Sequence, residues 1–300
     1  MASTTQAPAT PAATTRRRPQ ASPRSVTRGR ARPNFLGGLG GWIWLAVIIL
    51  PIYYVVITSL KNQAGFFTSN PLAPPTEPTF ANYQLVLESD FVRYFANSLI
   101  VTVGSVLPTL LVSFMAAYAI VRGKGWFLNS TNKLFLLGLA IPLHATIIPI
   151  YWMITRAHMY DTLLALILPS IAFAIPISVL ILSNFLRDVP NELFESMRLD
   201  GASDWAMMWR LALPLVRPAV VTVGIYNALN VWNGFLFPLI LTQSPDTRVL
   251  PLSLWTFQGE FSVNVPAILA SVVLATFPLL VVYVVARRQL VSGLTAGFSK

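Results

Sequence analysis

Amide and aromatic side chains are concentrated in one apolar stretch in the second half of the chain: Tyr226, Asn227, Asn230, Trp232 and Asn233. Carboxamides hydrogen-bond to hydroxyl groups, and aromatic rings pack against the C–H faces of sugars. This set therefore carries both chemistries needed to hold an uncharged sugar. The alternative is structural, because Asn and Trp also join membrane helices to each other or anchor them at the interface.

A second group of polar residues forms a charged insert, Pro190–Pro214, between two long apolar stretches. Its opening proline predicts the start of a short helix. Three apolar residues of this helix share one side: Leu193, Phe194 and Met197. Charge is presented elsewhere, and Glu195 and Arg198 are spaced to form an ion pair. Gly201 then predicts a break, because glycine permits turns that other residues resist.

A second helix is expected after the break, capped by Asp200 or Ser203. Its apolar residues recur at helical spacing: Trp205, Met208, Trp209 and Ala212. The insert therefore predicts two short helices that lie across one membrane face and offer apolar side chains to a partner. The alternative is an amphipathic pair lying in the lipid headgroups, which would also suit the two tryptophans.

Several kinds of chemical site lack the residues they require. The sequence contains no cysteine, which excludes disulfides, thiolate metal sites and cysteine nucleophiles. Two histidines, His144 and His158, are too few for a histidine-rich metal centre. Neither a glycine-rich phosphate loop ending in Gly-Lys-Ser/Thr nor a nucleophile–base pair at membrane depth is found. We therefore expect no catalytic residue, no metal site and no enzymatic activity.

The composition requires a membrane. Hydrophobic residues make up 55% of the chain, charged residues 11%, and the mean hydropathy is +0.63. A chain of 300 residues with this composition cannot bury its apolar surface in one soluble core. Six stretches approach or exceed the roughly 20 residues that cross a bilayer. They are residues 41–60, 94–121, 134–155, 162–186, 219–243 and 263–286.

The beginning of the chain is basic but is not expected to be a signal peptide. The first apolar stretch is too long, contains Pro51, and has no small-x-small exit before Lys61. Residues 1–35 are rich in Ala, Thr, Pro and Arg, which predicts a disordered tail that contacts anionic lipid headgroups. A nucleic-acid partner is disfavoured because no aromatic platform accompanies the arginines. Residues 36–300 then form a six-helix domain whose charged loop spans 187–217.

The distribution of basic residues predicts the orientation. With six spans and the N-terminus inside, all but four of the 21 Lys and Arg residues fall on the cytoplasmic side. The four exceptions are Lys61, Arg93, Arg156 and Arg248. This asymmetry satisfies the positive-inside rule, so both termini are expected in the cytoplasm of a multi-pass plasma-membrane protein.

The apolar stretches contain prolines and almost no ionisable residues. Each proline removes a backbone hydrogen bond and can kink its helix, which suits a pathway that opens and closes, although proline is common in membrane helices in any case. His144 is the one titratable residue at membrane depth. Its role is either that of a gating or relay residue or that of a hydrogen-bonded structural residue. Proton- or sodium-coupled carriers usually keep an acidic residue there. We therefore expect an energy source outside the chain.

The charged insert resembles the EAA loop of ABC importer permeases, through which the membrane subunit contacts its ATPase. The resemblance rests on Glu195, on Gly201 six residues later, and on Leu-x-Leu-Pro ending at Pro214. Shorter segments resemble the carbohydrate-uptake branch of these permeases: 80–83 (FANY), 97–99 (NSL), 117–119 (AYA) with Arg122, 141–143 (IPL), 232–235 (WNGF) before 238–239 (PL), and 288–297 (RQLVSGLTAG). The chain differs from the family pattern at Ser196, Met197 and Trp209.

The resemblance implies an all-α membrane protein with a MetI-like fold of six transmembrane helices. It implies four kinds of partner: a second permease, two ATP-binding subunits, an extracytoplasmic solute-binding protein and the lipid membrane. ATP and Mg would be bound by the ATPase, and this chain would hold no cofactor. The residues implied for ATPase coupling are Glu195, Ser196, Met197, Asp200, Gly201, Ala202, Trp209, Leu213 and Pro214.

The implied function is half of a translocation pathway for a sugar or oligosaccharide. Closure of the ATPases would push the loop, tilt the helices and expose the pathway to each side in turn. Two alternatives stay open at this point. One is an ABC permease for another neutral or phosphorylated solute. The other is a six-span channel or scaffold, which would leave the spacing from Glu195 to Pro214 without a purpose.

Overall fold

The computed structural model describes residues 35–257 and 263–296, and every regular element among them is helical. Within helices, the side chains of residues 36 and 285–296 are not described. Residues 1–34 of the predicted basic tail and all side chains of the segment 288–297 lie outside the described residues. The helices are α1 (Phe35–Ser59), α2 (Gln63–Thr68), α3 (Ala81–Glu88), α4 (Phe91–Arg122), α5 (Trp126–Leu139), α6 (Ile147–Arg156), α7 (Leu163–Arg187), α8 (Asn191–Leu199), α9 (Asp204–Met207), α10 (Leu213–Trp232), α11 (Leu236–Leu241), α12 (Leu250–Ser253) and α13 (Val265–Ala296).

The chain divides into two compact units, Met1–Val47 and Ile48–Lys300. The described part of the first unit is the beginning of α1. The second unit contains the rest of α1 and the helices from α2 to α13, and the structure described below belongs to it.

Five described helices are long and apolar enough to cross a membrane, and a bent pair of helices makes a sixth span if it is counted as one. The five are Gly37–Ser59, Phe91–Arg122, Leu163–Arg187, Asp204–Trp232 and Val265–Val284. The bent pair is Trp126–Leu139 with Leu143–Arg156. The prediction of six apolar spans is therefore confirmed in number, and two of them differ in form.

The third predicted span is not straight. It breaks before Pro142, and the two halves meet at 96° through a 3₁₀ turn, Leu143–Thr146. Proline has no N–H to continue the helix and disfavours a helical residue before it, which explains the position of the break. His144 lies in this turn, exposed and without a hydrogen-bond partner among the described residues. The structure therefore does not support the hydrogen-bonded structural role predicted for His144.

The fifth predicted span begins earlier than the sequence suggested. Residues 219–243 were expected, but the helix runs from Asp204 to Trp232 through one π turn, Met208–Ala212. Pro214 cannot donate to the carbonyl of Arg210, so the regular hydrogen-bond pattern is interrupted near this point. The basic residues at 210 and 217 made the boundary look later, because a charged side chain can lie on a membrane helix near its end.

The core of the second unit is built by α4, which packs along α7, and by α10, which packs against both. Small residues let these helices approach closely. A methyl group added at Gly104 would lie 3.0 Å from the side chain of Ile167 on α7. Ser105 and Ser113 of α4 are fully buried. Small residues at these positions of α4 therefore allow close helix packing.

Candidate functional site

The charged insert forms a short helix, α8, followed by a tight turn. Pro190 precedes the first helical residue with an extended backbone, Glu192 lies in the first turn and Arg198 in the last, which complements the helix dipole. Of the nine residues of α8, Phe194 alone is buried, while Leu193 stays 40% exposed. We call the region where α8 meets the ends of α4 and α7 the α8 end.

The turn after α8 depends on Gly201. This residue has φ of +80°, in the left-handed region that favours glycine, while an added methyl group would meet nothing within 4 Å. The N–H of Ala202 donates to the carbonyl of Met197 at 3.0 Å, which closes the end of the helix. Ser203 then caps α9 by accepting from the N–H of Ala206 at 3.3 Å. The predicted break and cap are confirmed.

The ion pair predicted within α8 is wrong. Arg198 instead contacts Asp204 at 2.7 Å, beyond the turn. The pair is exposed, with 69% and 75% of the two side chains accessible, so it is worth at most about 1 kcal/mol. Glu195 has no hydrogen-bond or ion-pair partner among the described residues and is exposed.

A second helix does begin after the turn, but the prediction that it is short and separate is wrong. α9 continues through the π turn into α10, and Met208 and Ala212 are buried inside this chain. Trp209 is half-buried between Phe114 and Trp205, with ring centroids 5.8 and 5.6 Å away. Helical periodicity indicates a buried side without indicating what buries it. Part of this stripe packs in the chain's own core, and Trp205 stays 61% exposed.

The residues predicted for coupling therefore fall into two groups. The exposed ones are Glu195, Ser196, Asp200, Gly201 and Pro214, and the half-buried ones are Met197, Ala202, Trp209 and Leu213. Sequence reasoning missed Leu199, which is 89% exposed at the end of α8. The available signal was that Leu199 does not lie on the apolar side of its amphipathic helix. Leu193, Leu199 and Trp205 are exposed apolar side chains in the same insert as Glu195.

A cavity of about 280 Å³ lies among α4, α7, α10 and α11. Three of the five predicted substrate residues line it, Tyr226, Asn227 and Asn230, and no charged residue does. Sequence reasoning missed its other polar and aromatic wall, because these residues lie in separate segments of the chain: Ser170, Phe173, Phe235 and Phe237. The cavity therefore combines hydroxyl, amide and aromatic groups.

The three asparagines and the tryptophan have different roles. Asn227 is buried and donates to the hydroxyl of Ser178 on α7 at 2.8 Å, as an interhelical hydrogen bond. Asn230 is exposed and donates to the carbonyl of Tyr226. Trp232 is buried, and its ring N–H is 3.3 Å from the carbonyl of Ala275. Asn233 is exposed outside the cavity. The alternative that Asn and Trp join membrane helices to each other therefore holds for Trp232. It also describes part of the role of Asn227.

Comparison with known families decides the identity of the fold. Residues 98–292, which include α8 and the cavity, match the family described as "Binding-protein-dependent transport system inner membrane component". The chain belongs to this family. It is a multi-pass inner-membrane permease of the ABC importer type with a MetI-like fold. The family is one of transport components.

Named relatives cover most of the permease. ORF2 of Caldicellulosiruptor sp. (strain Rt8B.4), named as an ABC transporter permease protein, is 39% identical over 86% of this chain and 94% of its own length. NgcG of Streptomyces coelicolor, the diacetylchitobiose uptake system permease protein, is 30% identical over 85% of each chain. SmoH of Agrobacterium fabrum, the sulfoquinovosyl glycerol transport system permease protein, is 31% identical over 83% and 88%.

Solved structures share the fold. A bacterial ABC transporter involved in the import of alginate aligns with a TM-score of 0.75 at 20% identity, over 85% of the permease and 95% of that chain. The MetNI methionine transporter aligns with a TM-score of 0.53 at 17% identity, over 72% and 99%. At these identities the likeness concerns the fold alone.

The opposite end of the permease is held together by side chains, and we call it the clamp end. Arg93 pairs with Asp246, and Asn97 donates to the carbonyls of Asp246 and Arg248 at 2.8 and 2.9 Å. The hydroxyl of Ser98 accepts from the N–H of Leu250 at 2.8 Å. The segment 97–99 thus fastens the segment 246–250 to the beginning of α4.

Asp161 adds a second fastening at the clamp end. Its carboxylate accepts from the N–H groups of Gln243 and Ser244 and from the hydroxyl of Thr247, at 2.8, 3.1 and 2.6 Å. Burial raises the pKa of this carboxyl, but the hydrogen bonds from Gln243, Thr247 and Ser244 outweigh burial and bring the pKa to about 2. The carboxylate therefore stays charged at any ordinary pH.

Proposed function

We propose that this permease forms half of the translocation pathway of an importer for a sugar or oligosaccharide. The observation that carries the proposal is the cavity, which is lined by amide, hydroxyl and aromatic groups and by no charged residue. Such a lining suits the hydroxyl groups and C–H faces of a glycan. The names of NgcG and SmoH, which refer to diacetylchitobiose and sulfoquinovosyl glycerol, support the same solute class.

Among the alternatives, the lining disfavours a phosphorylated solute. A phosphate group is usually held by Arg, Lys or a row of backbone N–H groups. None of the described residues that line the cavity is basic. A channel or scaffold is disfavoured because it would give no purpose to the exposed side chains of α8.

We further propose that α8 contacts an ATPase. The exposed side chains of Leu193, Leu199 and Trp205 supply apolar area. Glu195, which has no partner among the described residues, supplies a charge that can pair with a basic residue of the partner. ATP and Mg are then held by that partner and not by this chain. The complete importer contains a second permease, two ATP-binding subunits and a solute-binding protein outside the cell.

The same proposal assigns the orientation. The α8 end faces the cytoplasm, where the ATPase lies, and the clamp end faces the outside. The distribution of Lys and Arg in the sequence supports this orientation, because it favours both chain termini in the cytoplasm.

The experiment is purification of the tagged permease in mild detergent, with Glu195→Lys and a matched control. Glu192→Lys makes the same charge change on the exposed surface of α8, but Glu192 is not one of the residues implied for ATPase coupling. We expect an ATPase and a second six-span protein to accompany the wild type and Glu192→Lys, and the ATPase to be lost from Glu195→Lys. A wild-type permease that is intact but alone would favour a channel or scaffold.

A further inference from the structure

Arg122, the last residue of α4, connects the membrane helices to α8. Its guanidinium donates to the carbonyl oxygens of Leu186 and Val189, at 3.1 and 3.0 Å, and to the side-chain oxygen of Asn191. Leu186 lies in the last turn of α7, Val189 lies in the linker, and Asn191 begins α8. One side chain therefore holds the end of α7, the linker and the beginning of α8 together.

The same guanidinium covers Phe194, the one buried side chain of α8. Its central carbon lies 3.6 Å from the centre of the ring. Tyr118, one turn earlier in α4, contacts the same ring with centroids 6.4 Å apart. Cation–π contacts grow stronger as they are removed from water, and Phe194 is only 7% exposed. α8 is thus anchored to α4 as well as to α7.

These contacts require an arginine. The guanidinium presents five N–H donors in a planar fork and can stack on a ring while it donates from its edge. A lysine would bring the charge but neither the plane nor the fork. The position of an arginine at the end of α4 therefore has a physical reason.

We propose that Arg122 is the positioning residue that passes a displacement of α8 to α4, and through α4 to the cavity. α4 packs along α7 and against α10, and Val101 of α4 lines the cavity with residues of those helices. Without Arg122, α8 keeps its covalent link to α7 and the packing of Phe194, but loses its polar tie to α4. The inference rests on the proposed function, because the displacement comes from the ATPase.

The test uses the complete complex and the absence of native cysteine. Asn230→Cys places a single thiol in the cavity, and its labelling by a membrane-impermeant maleimide is measured before and after trapping with ATP and vanadate. Co-purified ATPase and its hydrolysis rate are measured on the same samples. The variants are Arg122→Ala and Arg122→Lys, and Lys124→Ala is the control because it removes an exposed basic residue two positions later.

With Arg122 present, including in Lys124→Ala, we expect trapping to change the labelling rate of the cavity thiol. In both Arg122 variants we expect the ATPase to remain bound and active, while the change in labelling falls by about tenfold, the scale set by loss of charge-assisted hydrogen bonds. A merely structural role would lower the amount of complex without separating hydrolysis from labelling. Because Arg122→Ala can disturb α8, Phe194→Leu, which removes the ring and keeps apolar bulk, is measured in parallel and is expected to lose part of the change.

The outcomes separate the two proposals. If no ATPase accompanies the wild type, the proposed function fails. If the ATPase accompanies every variant and Arg122→Lys changes its labelling as the wild type does, the role of Arg122 is overturned and the proposed function stands. If the Arg122 variants and Phe194→Leu lose the ATPase altogether, Arg122 serves to fold α8, and its role in passing the displacement is likewise overturned.

Discussion

The two ends of the permease differ in whether their side chains have partners within the chain. At the clamp end, Asn97, Ser98 and Asp161 bond to the segment 243–250 inside the same chain. At the α8 end, Leu199 and Trp205 are 89% and 61% exposed, and Glu195 has no partner among the described residues. At the first end, these polar groups find their partners within the chain. The second presents apolar and charged groups that only another molecule can cover, which is why we place the ATPase there.

The largest effect is expected from Gly201→Val at the α8 end. A β-branched residue at φ of +80° is strained by about 1 to 3 kcal/mol, so the turn after α8 must change. We expect solute uptake to fall by at least roughly tenfold while the permease remains inserted and ATP is still hydrolysed. Gly201→Asn is the control, because Asn tolerates left-handed backbone. Normal uptake by Gly201→Val would show that this turn does not take part in coupling to the ATPase.

Asp161→Ala tests the clamp end and should act on stability instead of coupling. It leaves three donors without their acceptor, so we expect the unfolding temperature of the detergent-solubilised permease to fall by a few degrees, of the order of a lost charged hydrogen bond. The ATPase should still co-purify. Asp161→Asn keeps an acceptor oxygen and should lose less.

The pH dependence of this contribution follows from the lowered pKa of Asp161. A carboxyl group whose pKa is lower in the folded state stabilises the fold fully above its ordinary value of 3.8, and the contribution is lost as the pH falls through about 2. The difference in unfolding temperature between the wild type and Asp161→Ala should therefore be constant above that range. A difference that disappears near neutral pH would contradict the assignment.

Asn230→Ala tests the cavity and should have a moderate effect. The loss of one hydrogen bond to the solute is worth about 1 kcal/mol, so the solute concentration for half-maximal uptake should rise by roughly fivefold. Asn233→Ala is closely matched, since both side chains are exposed and donate to a backbone carbonyl four residues earlier. Asn233 lies outside the cavity, and its substitution should leave uptake unchanged. Equal effects of the two substitutions would exclude a direct contact by Asn230.

The smallest effect is expected from Arg198→Ala. Its ion pair with Asp204 is exposed, so stability and uptake should change by less than about twofold. Uptake by reconstituted complexes measures this directly. A loss of uptake by about tenfold or more would mean that Arg198 contacts the partner.

Much of the fold was predictable because membrane spans and helix breaks have local causes. The apolar lengths gave the number of spans, and Gly201 and Ser203 gave the turn and cap after α8. The break before Pro142 was not predicted, because a proline can either kink a helix or end it. The presence of proline alone does not distinguish the two. The π turn at Met208–Ala212 was missed because apolar residues recur at the same spacing in a separate short helix as at the beginning of a long one. The pattern therefore did not show that the helix continues.

The site was predictable only in part because its residues are distant in sequence. Asn227 and Asn230 were found together in one helix, but Phe173 and Ser170 join them from α7. Trp232 was assigned to the pathway on its chemistry, whereas its contacts with Phe95 and Ala275 place it in the core. The partners of Asn97 and Arg122 likewise come from segments far along the chain.

The most direct measurement compares thiol labelling of one exposed residue at each end, in the permease alone and in its complex with the ATPase. Leu199→Cys reports the α8 end, and Phe67→Cys, at a position 71% exposed in α2, is the control away from α8. We expect assembly to slow labelling of Leu199→Cys by at least about tenfold and to leave Phe67→Cys unchanged. Labelling of Leu199→Cys at the same rate in both samples would contradict the assignment of α8 as the ATPase contact.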